Sequence, residues 1–206
     1  SDRQFALAVN NYAAIVLVPP LAAAVSAIAP AVHLDFRPSG TLDIADRLDR
    51  GDLDLALGNM EVPGERFSTA PLLEDEFVVV MRRGHPAGRR ALSAAALAAL
   101  RHLEISSSDE DVGFVDRWLA ERGMARRIVL RAPYLAAAPI LVQSDLVATL
   151  SRRIAQEFVR SHPVQLRKPP YESAHVRTAM LWHRRLDRHP AHRWLRDVVM
   201  SVSKSL

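Results

Sequence analysis

The chain has 206 residues, of which 49% are hydrophobic and none is cysteine, so it can bury a large core but excludes disulfides, thiolate metal sites and cysteine nucleophiles. No apolar run reaches the length of a membrane span and the start has no signal-peptide pattern, which predicts a cytoplasmic protein without membrane contact. The net charge of +4 rests on scattered arginines, not on a basic stripe interleaved with aromatic residues, so we do not expect this segment itself to bind DNA.

The first half of the chain alternates strand patterns with helix patterns. Alternating apolar residues predict strands at 3–9, 32–36 and 53–57. One helical pattern follows the first strand and runs to about residue 29; a second begins near Thr41, its expected N-cap, and ends at Gly51. This β-α-β-α-β order, with crossovers of helix length, predicts a parallel sheet.

The second half repeats this alternation after a buried strand predicted at 72–81. Ser93 is expected to cap a short alanine-rich helix, and the acidic run at 108–111 begins a helix that ends at Gly123. Further strands are predicted at 128–131, 146–150 and 176–182, further helices at 133–142 and 152–159, and a loop or edge strand at 164–171. The last helix is predicted to turn one face inward, formed by Ala191, Trp194, Leu195, Val198 and Val202.

Five motifs, taken in order, carry a resemblance to a known family. They are Val18-Pro19-Pro20-Leu21, the glycine-bounded strand at 51–58, Gly84-His85-Pro86, the segment at 139–150 and the tail at 180–195. Together, and at these separations, they resemble the effector-binding domain of LysR-type transcriptional regulators. The tail is particularly similar to the branch that responds to aromatic acids and nodulation signals.

The resemblance implies an α/β fold of the type-2 periplasmic-binding-protein kind, with two Rossmann-like lobes joined by two crossover strands and a ligand cleft between them. By this analogy lobe I covers 1–77 plus 175–206, and lobe II covers 78–174. The family's N-terminal winged helix-turn-helix is absent from this chain. DNA contact is therefore expected only through that missing domain.

Candidate site residues follow from strand ends, because ligands of open α/β lobes bind beyond the carboxyl ends of parallel strands. The family's cleft implies the same positions, which are Asn10, Asn11, Tyr12, Ser39, Gly40, Thr41, Ser107, Ser108, Tyr134 and Leu135. His175 lies near the second predicted crossing, where it either lines the cleft or stays on the surface. One asparagine either caps the first helix or contacts the ligand, and Tyr134 either stacks on an aromatic effector or belongs to the core. Phe114 is expected in the core.

The resemblance implies effector sensing, and catalysis is not expected because no nucleophile elbow, phosphate loop or dinucleotide motif occurs. No cofactor is expected, and His189 and His192, with a proline between them, do not predict a metal site. A small organic, aromatic or phenolic effector is expected to shift the lobe angle and so the geometry of a dimer. The family implies a homodimer through the helix at 21–28 against the region 136–146, and a tetramer in the full-length protein.

Two alternatives use the same fold. A secreted solute-binding protein would need a leader upstream of the chain. An enzyme on this scaffold would need a reactive group of side chains that the sequence does not show.

Overall fold

The computed structural model describes residues 3–59, 64–105, 113–172 and 174–206. The strands are β1 Arg3–Val9, β2 Val32–Pro38, β3 Leu55–Gly58, β4 Phe67–Arg82, β5 Arg101–Ile105, β6 Arg127–Ala132, β7 Leu146–Ser151, β8 Val164–Arg167 and β9 His175–His183. The helices are α1 Asn11–Val16, α2 Val18–Ile28, α3 Ile44–Arg50, α4 Ala94–Ala99, α5 Gly113–Ala120, α6 Tyr134–Val142, α7 Arg152–Ser161 and α8 Pro190–Lys204. Within these ranges no helix combines the length and the apolar character needed to cross a membrane.

The chain divides into two units, and it passes between them inside strands. Unit 1 contains Ser1–Glu74 and Arg177–Leu206, and unit 2 contains Asp75–Val176. The first boundary falls within β4 and the second within β9. Both connections between the units are therefore crossover strands, as expected for this class of α/β fold.

Unit 1 is built on a parallel sheet with one antiparallel strand added. β1 lies between β2 and β3 and is parallel to both, while β9 pairs antiparallel with β3. Val9, at the end of β1, pairs with Pro38 on β2 and with Leu57 on β3. The strand ends therefore meet at one edge of the sheet.

The single helix predicted after the first strand is in fact two helices. α1 ends at Val16, and α2 begins at Val18 with Pro19 and Pro20 in its first turn. A proline lacks the N–H that a continuing helix needs and clashes with the carbonyl one turn earlier, but it is accepted in a first turn. The two prolines therefore separate the helices.

The predicted N-cap of α3 was also wrong. Thr41 lies in a short 3₁₀ turn, Ser39–Thr41, and the cap is Asp43, whose side chain accepts a hydrogen bond of 3.0 Å from the N–H of Asp46. A carboxylate is as good a cap as a hydroxyl and also interacts favourably with the positive end of the helix. The predicted end is confirmed, since Gly51 has a φ of 78°.

The buried face of α8 is rotated from the predicted one. Its buried residues are His192, Leu195, Arg196, Val199, Val202 and Ser203. Three of them, His192, Arg196 and Ser203, are polar groups with hydrogen-bond or ion-pair partners. The His192 Nε2 lies 2.9 Å from the Asp54 carboxylate, which also accepts a bond of 2.8 Å from the N–H of Ala6. Hydrogen bonding thus places on the inner face residues that hydrophobicity alone assigns to the surface.

Unit 2 contains a strand that the sequence did not predict. β5 lies between β6 and β7 and is parallel to both, and β4 pairs antiparallel with β7 and β8. β5 has only five residues and three of them, Arg101, His102 and Glu104, are polar, so its hydrophobic pattern is weak. Burial by the neighbouring strands overrides that pattern. The segment at 164–171, left open as loop or edge strand, contributes β8.

His102 is a buried titratable group beneath α5. Its Nε2 donates to the Leu97 carbonyl at 2.9 Å, and within the described residues its Nδ1 has no partner. Burial lowers the pKa of His102, and the charge of Arg126 lowers it further, against the opposing effect of the Leu97 hydrogen bond. The Arg126 side chain is 2% exposed and makes two hydrogen bonds, of 2.7 and 2.9 Å, to Asp116. The histidine is thus held in its neutral form.

His102 should make stability depend on pH. Its folded pKa lies below the ordinary value of 6.5, so in acid the unfolded chain binds a proton that the folded chain does not. This contribution is present above pH 6.5 and is lost as pH falls towards the folded pKa, with a slope of at most about 1.4 kcal/mol per pH unit. We expect His102→Gln, which retains a donor for Leu97, to flatten the fall in unfolding free energy measured by urea titration across this range. His33→Gln, at an exposed position, is the control; equal slopes for wild type and His102→Gln would contradict the assignment.

Candidate functional site

Within unit 1, the predicted site residues lie at the carboxyl edge of the parallel sheet. Because Val9 pairs with Pro38, Asn10 and the turn Ser39–Thr41 follow neighbouring strands at the same edge. A Cβ added at Gly40 would meet no atom within 4 Å, so this turn borders open space. The structure therefore brings Asn10, Asn11, Ser39, Gly40 and Thr41 into one region of unit 1.

The residues after β1 have three different roles. Asn10 is buried and its side chain accepts a hydrogen bond of 2.9 Å from the N–H of Ala13, so Asn10 is the cap of α1. Asn11 is half-buried in the first turn. Tyr12 is 2% exposed because α1 packs on β1 and β3, so its side chain belongs to the core of unit 1 and is not an accessible ligand contact.

The equivalent edge of unit 2 follows β5 and β6. Ile105 pairs with Ala132, so the residues after both strands share one edge. Tyr134, at the start of α6, is buried, which favours the core role. Leu135 is 93% exposed on the outer face of the same helix. Ser107 and Ser108 lie outside the described residues.

A cavity of about 680 Å³ lies within unit 2 beside the starts of α7 and β9. Its lining residues are Glu76, Phe77, Arg152, Lys168, Pro169, Pro170, Tyr171, Glu172 and His175. The Arg152 guanidinium is paired with Glu76 at 2.7 Å. Lys168 and His175 form no ion pair with any described residue, so they are the two basic groups available to a ligand there. The structure thus gives His175, an exposed residue, a place in a cavity wall.

Aromatic rings form one side of this region. Phe114 lies 5.1 Å from Phe77 and 5.3 Å from Tyr171, measured between ring centroids, and Trp118 lies 5.4 Å from Tyr171. Phe114 packs against the core, as expected, but it also connects two rings that line the cavity. Phe77 and Tyr171 therefore provide aromatic surface in the cavity wall, against which a ligand ring can pack.

Three buried hydroxyl groups lie on the same side of the sheet. Val147, Thr149 and Ser151 are two residues apart along β7, so their side chains lie on the same face of the sheet. Val147 packs with Tyr171 in the core of unit 2, which places Tyr171 on that face too. The hydroxyls of Thr149, Ser151 and Tyr171 have no hydrogen-bond partner among the described residues. Burial raises the pKa of Tyr171, and interaction with the neighbouring Thr149 hydroxyl and the charge of Arg126 lower it by less. Buried polar groups without partners are rare and mark places where a ligand or water is expected.

Sequence reasoning missed most of this region. One sequence pattern could have indicated the region: Thr149 and Ser151 place two hydroxyls at alternate positions of the otherwise apolar strand β7. Tyr171 and Lys168 gave no signal, because their segment has no periodic pattern and reaches the cavity only through the pairing of β8 with β4.

The two α/β units and their crossover strands define a fold of the type-2 periplasmic-binding-protein class, and similarity to known structures agrees with this. The regulatory domain of MexT, a transcriptional activator of Pseudomonas aeruginosa, superposes with a TM-score of 0.85 at 24% identity, over 97% of this chain and 99% of that one. This likeness confirms the expected fold class.

The family description "LysR substrate binding domain" matches residues 1–204, and the chain belongs to this family. It is 32% identical over 202 residues to the HTH-type transcriptional regulator SyrM of Rhizobium etli, covering 97% of this chain and 60% of the relative. It is 26% identical over 203 residues to the HTH-type transcriptional activator NagR of a Ralstonia species, covering 98% of this chain and 67% of the relative. The chain thus spans about three fifths to two thirds of the length of these two relatives. These relatives are regulators, which confirms that the family is not enzymatic.

The unpartnered hydroxyls lead to a prediction about stability. Thr149→Val keeps the shape of the side chain but removes a buried hydroxyl without a partner. We expect it to raise the free energy of unfolding of the ligand-free protein by about 1–3 kcal/mol, the usual cost of such a group. Chemical denaturation measures this change. The control is Ser203→Ala, which removes a hydroxyl that donates to the Met200 carbonyl at 2.9 Å and should not stabilise. A loss of stability in Thr149→Val would show that its hydroxyl is already satisfied.

Proposed function

We propose that this chain is the sensing domain of a LysR-type transcriptional regulator that binds a small aromatic or phenolic effector. The observation that carries the proposal is the combination, in unit 2, of a ring cluster with three unpartnered hydroxyls beside a cavity. Rings supply a surface for an aromatic ligand, and hydroxyls supply donors and acceptors for its polar substituents. Family membership supports an effector-binding role for this region.

We further propose that the effector bridges the two units across an interlobe cleft. Unit 1 would contribute the carboxyl edge with Asn11 and Ser39, and unit 2 would contribute Tyr171, Lys168 and His175. A ligand that contacts both units stabilises one relative arrangement by its difference in affinity for the two. The ligand would thereby control transcription.

DNA binding is assigned to a part of the protein outside this chain. The relatives are named as HTH-type regulators, and this chain spans only about three fifths of the length of the SyrM protein from Rhizobium etli. We place the protein in the cytoplasm, where it would act on DNA. The alternative, a secreted solute-binding protein of this fold, is less favoured because the relatives are transcriptional regulators.

The surface chemistry of two helices supports a homodimer. Ser26 is the only polar residue of α2, and α6 has no charged residue. Each has a large apolar side chain in solvent, with Ile28 61% exposed and Leu135 93% exposed. Helices that are apolar on all sides are normally buried. We therefore propose that residues 21–28 of one copy pack against the region 136–146 of another, and that such dimers form a tetramer in the full-length protein.

Asn11→Ala tests the effector site in unit 1. We expect the affinity for an active aromatic ligand to fall about tenfold, the effect of one lost hydrogen bond to a polar ligand, with little change in thermal stability. Calorimetric titration with 4-hydroxybenzoate, benzoate and phenol separates the contributions of the ligand's hydroxyl and carboxylate.

Asn10→Ala is the matched control, because it removes the α1 cap. It should lower the free energy of unfolding by about 0.5–2 kcal/mol through loss of the bond to Ala13. An unchanged ligand affinity in Asn11→Ala, for a compound that binds the wild type, would remove Asn11 from the site.

Ala23→Glu tests the dimer, since Ala23 is exposed on α2. A carboxylate buried in an apolar interface should weaken self-association at least ~tenfold, measured by sedimentation equilibrium. Ala95→Glu, at an exposed alanine of α4, should leave self-association unchanged. The same dissociation constant in both variants would exclude α2 from the interface.

A further inference from the structure

A second cavity lies within unit 1, at the edge of the sheet opposite to Asn10. Its volume is about 360 Å³, and its lining residues are Arg3, Phe5, Ile28, Ala29, Pro30, Ala31, Val32, Ala191 and Trp194. β1 begins at Arg3 and β2 begins at Val32, so the cavity lies at the amino ends of these strands. It is therefore separate from the strand ends at which the effector site is proposed.

The walls of this cavity are apolar and partly aromatic. Phe5 and Trp194 are stacked, with ring centroids 6.3 Å apart and an angle of 27° between their planes. The Phe5 ring is also held edge-on by His192 at 5.6 Å, which is itself fixed by Asp54. The floor of the cavity is thus a rigid ring, and its volume is in the range that suits a small organic molecule.

Among the described residues that line the cavity, Arg3 alone is charged. Its guanidinium carbon lies 5.1 Å from the centroid of the Phe5 ring. It forms no ion pair or hydrogen bond with any residue that the structure describes. A guanidinium beside a hydrophobic surface, with no counter-ion among the described residues, favours a carboxylate, which it can bind through two parallel hydrogen bonds.

We propose that this cavity is a second ligand site, which binds a small carboxylic acid with a flat apolar body of one or two rings. The rings would pack against Trp194 and the aliphatic side chains of Ile28 and Val32. The carboxylate would pair with Arg3. The positive charge selects acids over neutral compounds of the same shape, and the limited volume excludes larger molecules.

Nuclear magnetic resonance of the indole N–H groups can locate such a ligand, because the three tryptophans lie in different places. Trp194 lines the unit 1 cavity, Trp118 contacts Tyr171 beside the unit 2 cavity, and Trp182 lines neither. Each signal is assigned by the corresponding Trp→Phe variant. Titration with 2-naphthoate should shift the Trp194 signal in a saturable way, independently of protein concentration and of any shift at Trp118.

Two variants and one neutral compound test the role of charge and shape. Arg3→Gln should weaken the 2-naphthoate titration of Trp194 at least ~tenfold, while 2-naphthalenemethanol should bind weakly and equally to both proteins. Ala191→Leu, which fills the cavity, should abolish the Trp194 shift. Arg193→Gln, at an exposed arginine of α8 that does not line the cavity, is the control and should bind like the wild type.

Three results would overturn the proposal. One is a Trp194 titration that is unaffected by Arg3→Gln. Another is a shift confined to Trp118, which would assign the acid to the unit 2 cavity and leave the proposed effector site standing. The third is a Trp194 shift that depends on protein concentration without ligand, which would show that the dimer contact proposed for residues 21–28 extends over the cavity and closes it to ligands.

Discussion

The two crossover strands impose the constraint on which the rest of the structure depends. β9 is anchored in unit 1 by its pairing with β3, and β4 is anchored in unit 2 by its pairing with β7 and β8. The boundaries fall at single peptide bonds inside these strands, 74–75 and 176–177. In unit 1, Glu74 pairs with Arg177 at 2.9 Å, and in unit 2, Asp75 accepts a bond of 3.0 Å from the N–H of Arg153. Each side of a boundary is therefore held by contacts within its own unit, and the chain passes from one unit to the other inside paired strands.

Unit 2 buries hydroxyl groups that have no partner among the described residues at the place where we expect ligand chemistry. Its core is otherwise closely packed around Val79, Leu97 and Val147. A core selected for stability alone would have valine and alanine where Thr149 and Ser151 stand, since a buried hydroxyl without a partner is unfavourable. Arg126 contrasts with these hydroxyls, because its buried charge is paired with the Asp116 carboxylate. Arg126 is thus satisfied within unit 2, whereas the hydroxyls of Thr149, Ser151 and Tyr171, which have no partner among the described residues, lie on the side of the sheet that faces the ring cluster.

Sequence patterns predicted most of the fold and less of the candidate site. Strands with strict alternation and helices with clear ends were correct, because local periodicity reflects which side is buried. β5 was missed because its burial comes from strands distant in sequence. The buried face of α8 was predicted incorrectly because Asp54 provides a partner that allows His192 to be buried. In the site, strand ends located Asn10 and Ser39 correctly on one edge, but could not show that Tyr12 packs inward. The cavity of unit 2 depends on residues brought together from four separate segments, which no local pattern contains.

The tail that makes the family recognisable has a structural role in unit 1. Trp182 donates from its indole N–H to Asp187 at 2.7 Å, and Ser68 donates to the same carboxylate at 3.0 Å. Arg196 donates to the Asp187 carbonyl at 2.7 Å, and its guanidinium lies 4.6 Å from the centroid of a Trp182 ring. These contacts join β4, β9 and α8, so the residues that identify the family hold the C-terminal elements in place. They carry no information about the ligand. A family can therefore keep this tail while its members respond to different molecules, and the effector has to be inferred from Tyr171, Thr149 and the cavity beside them.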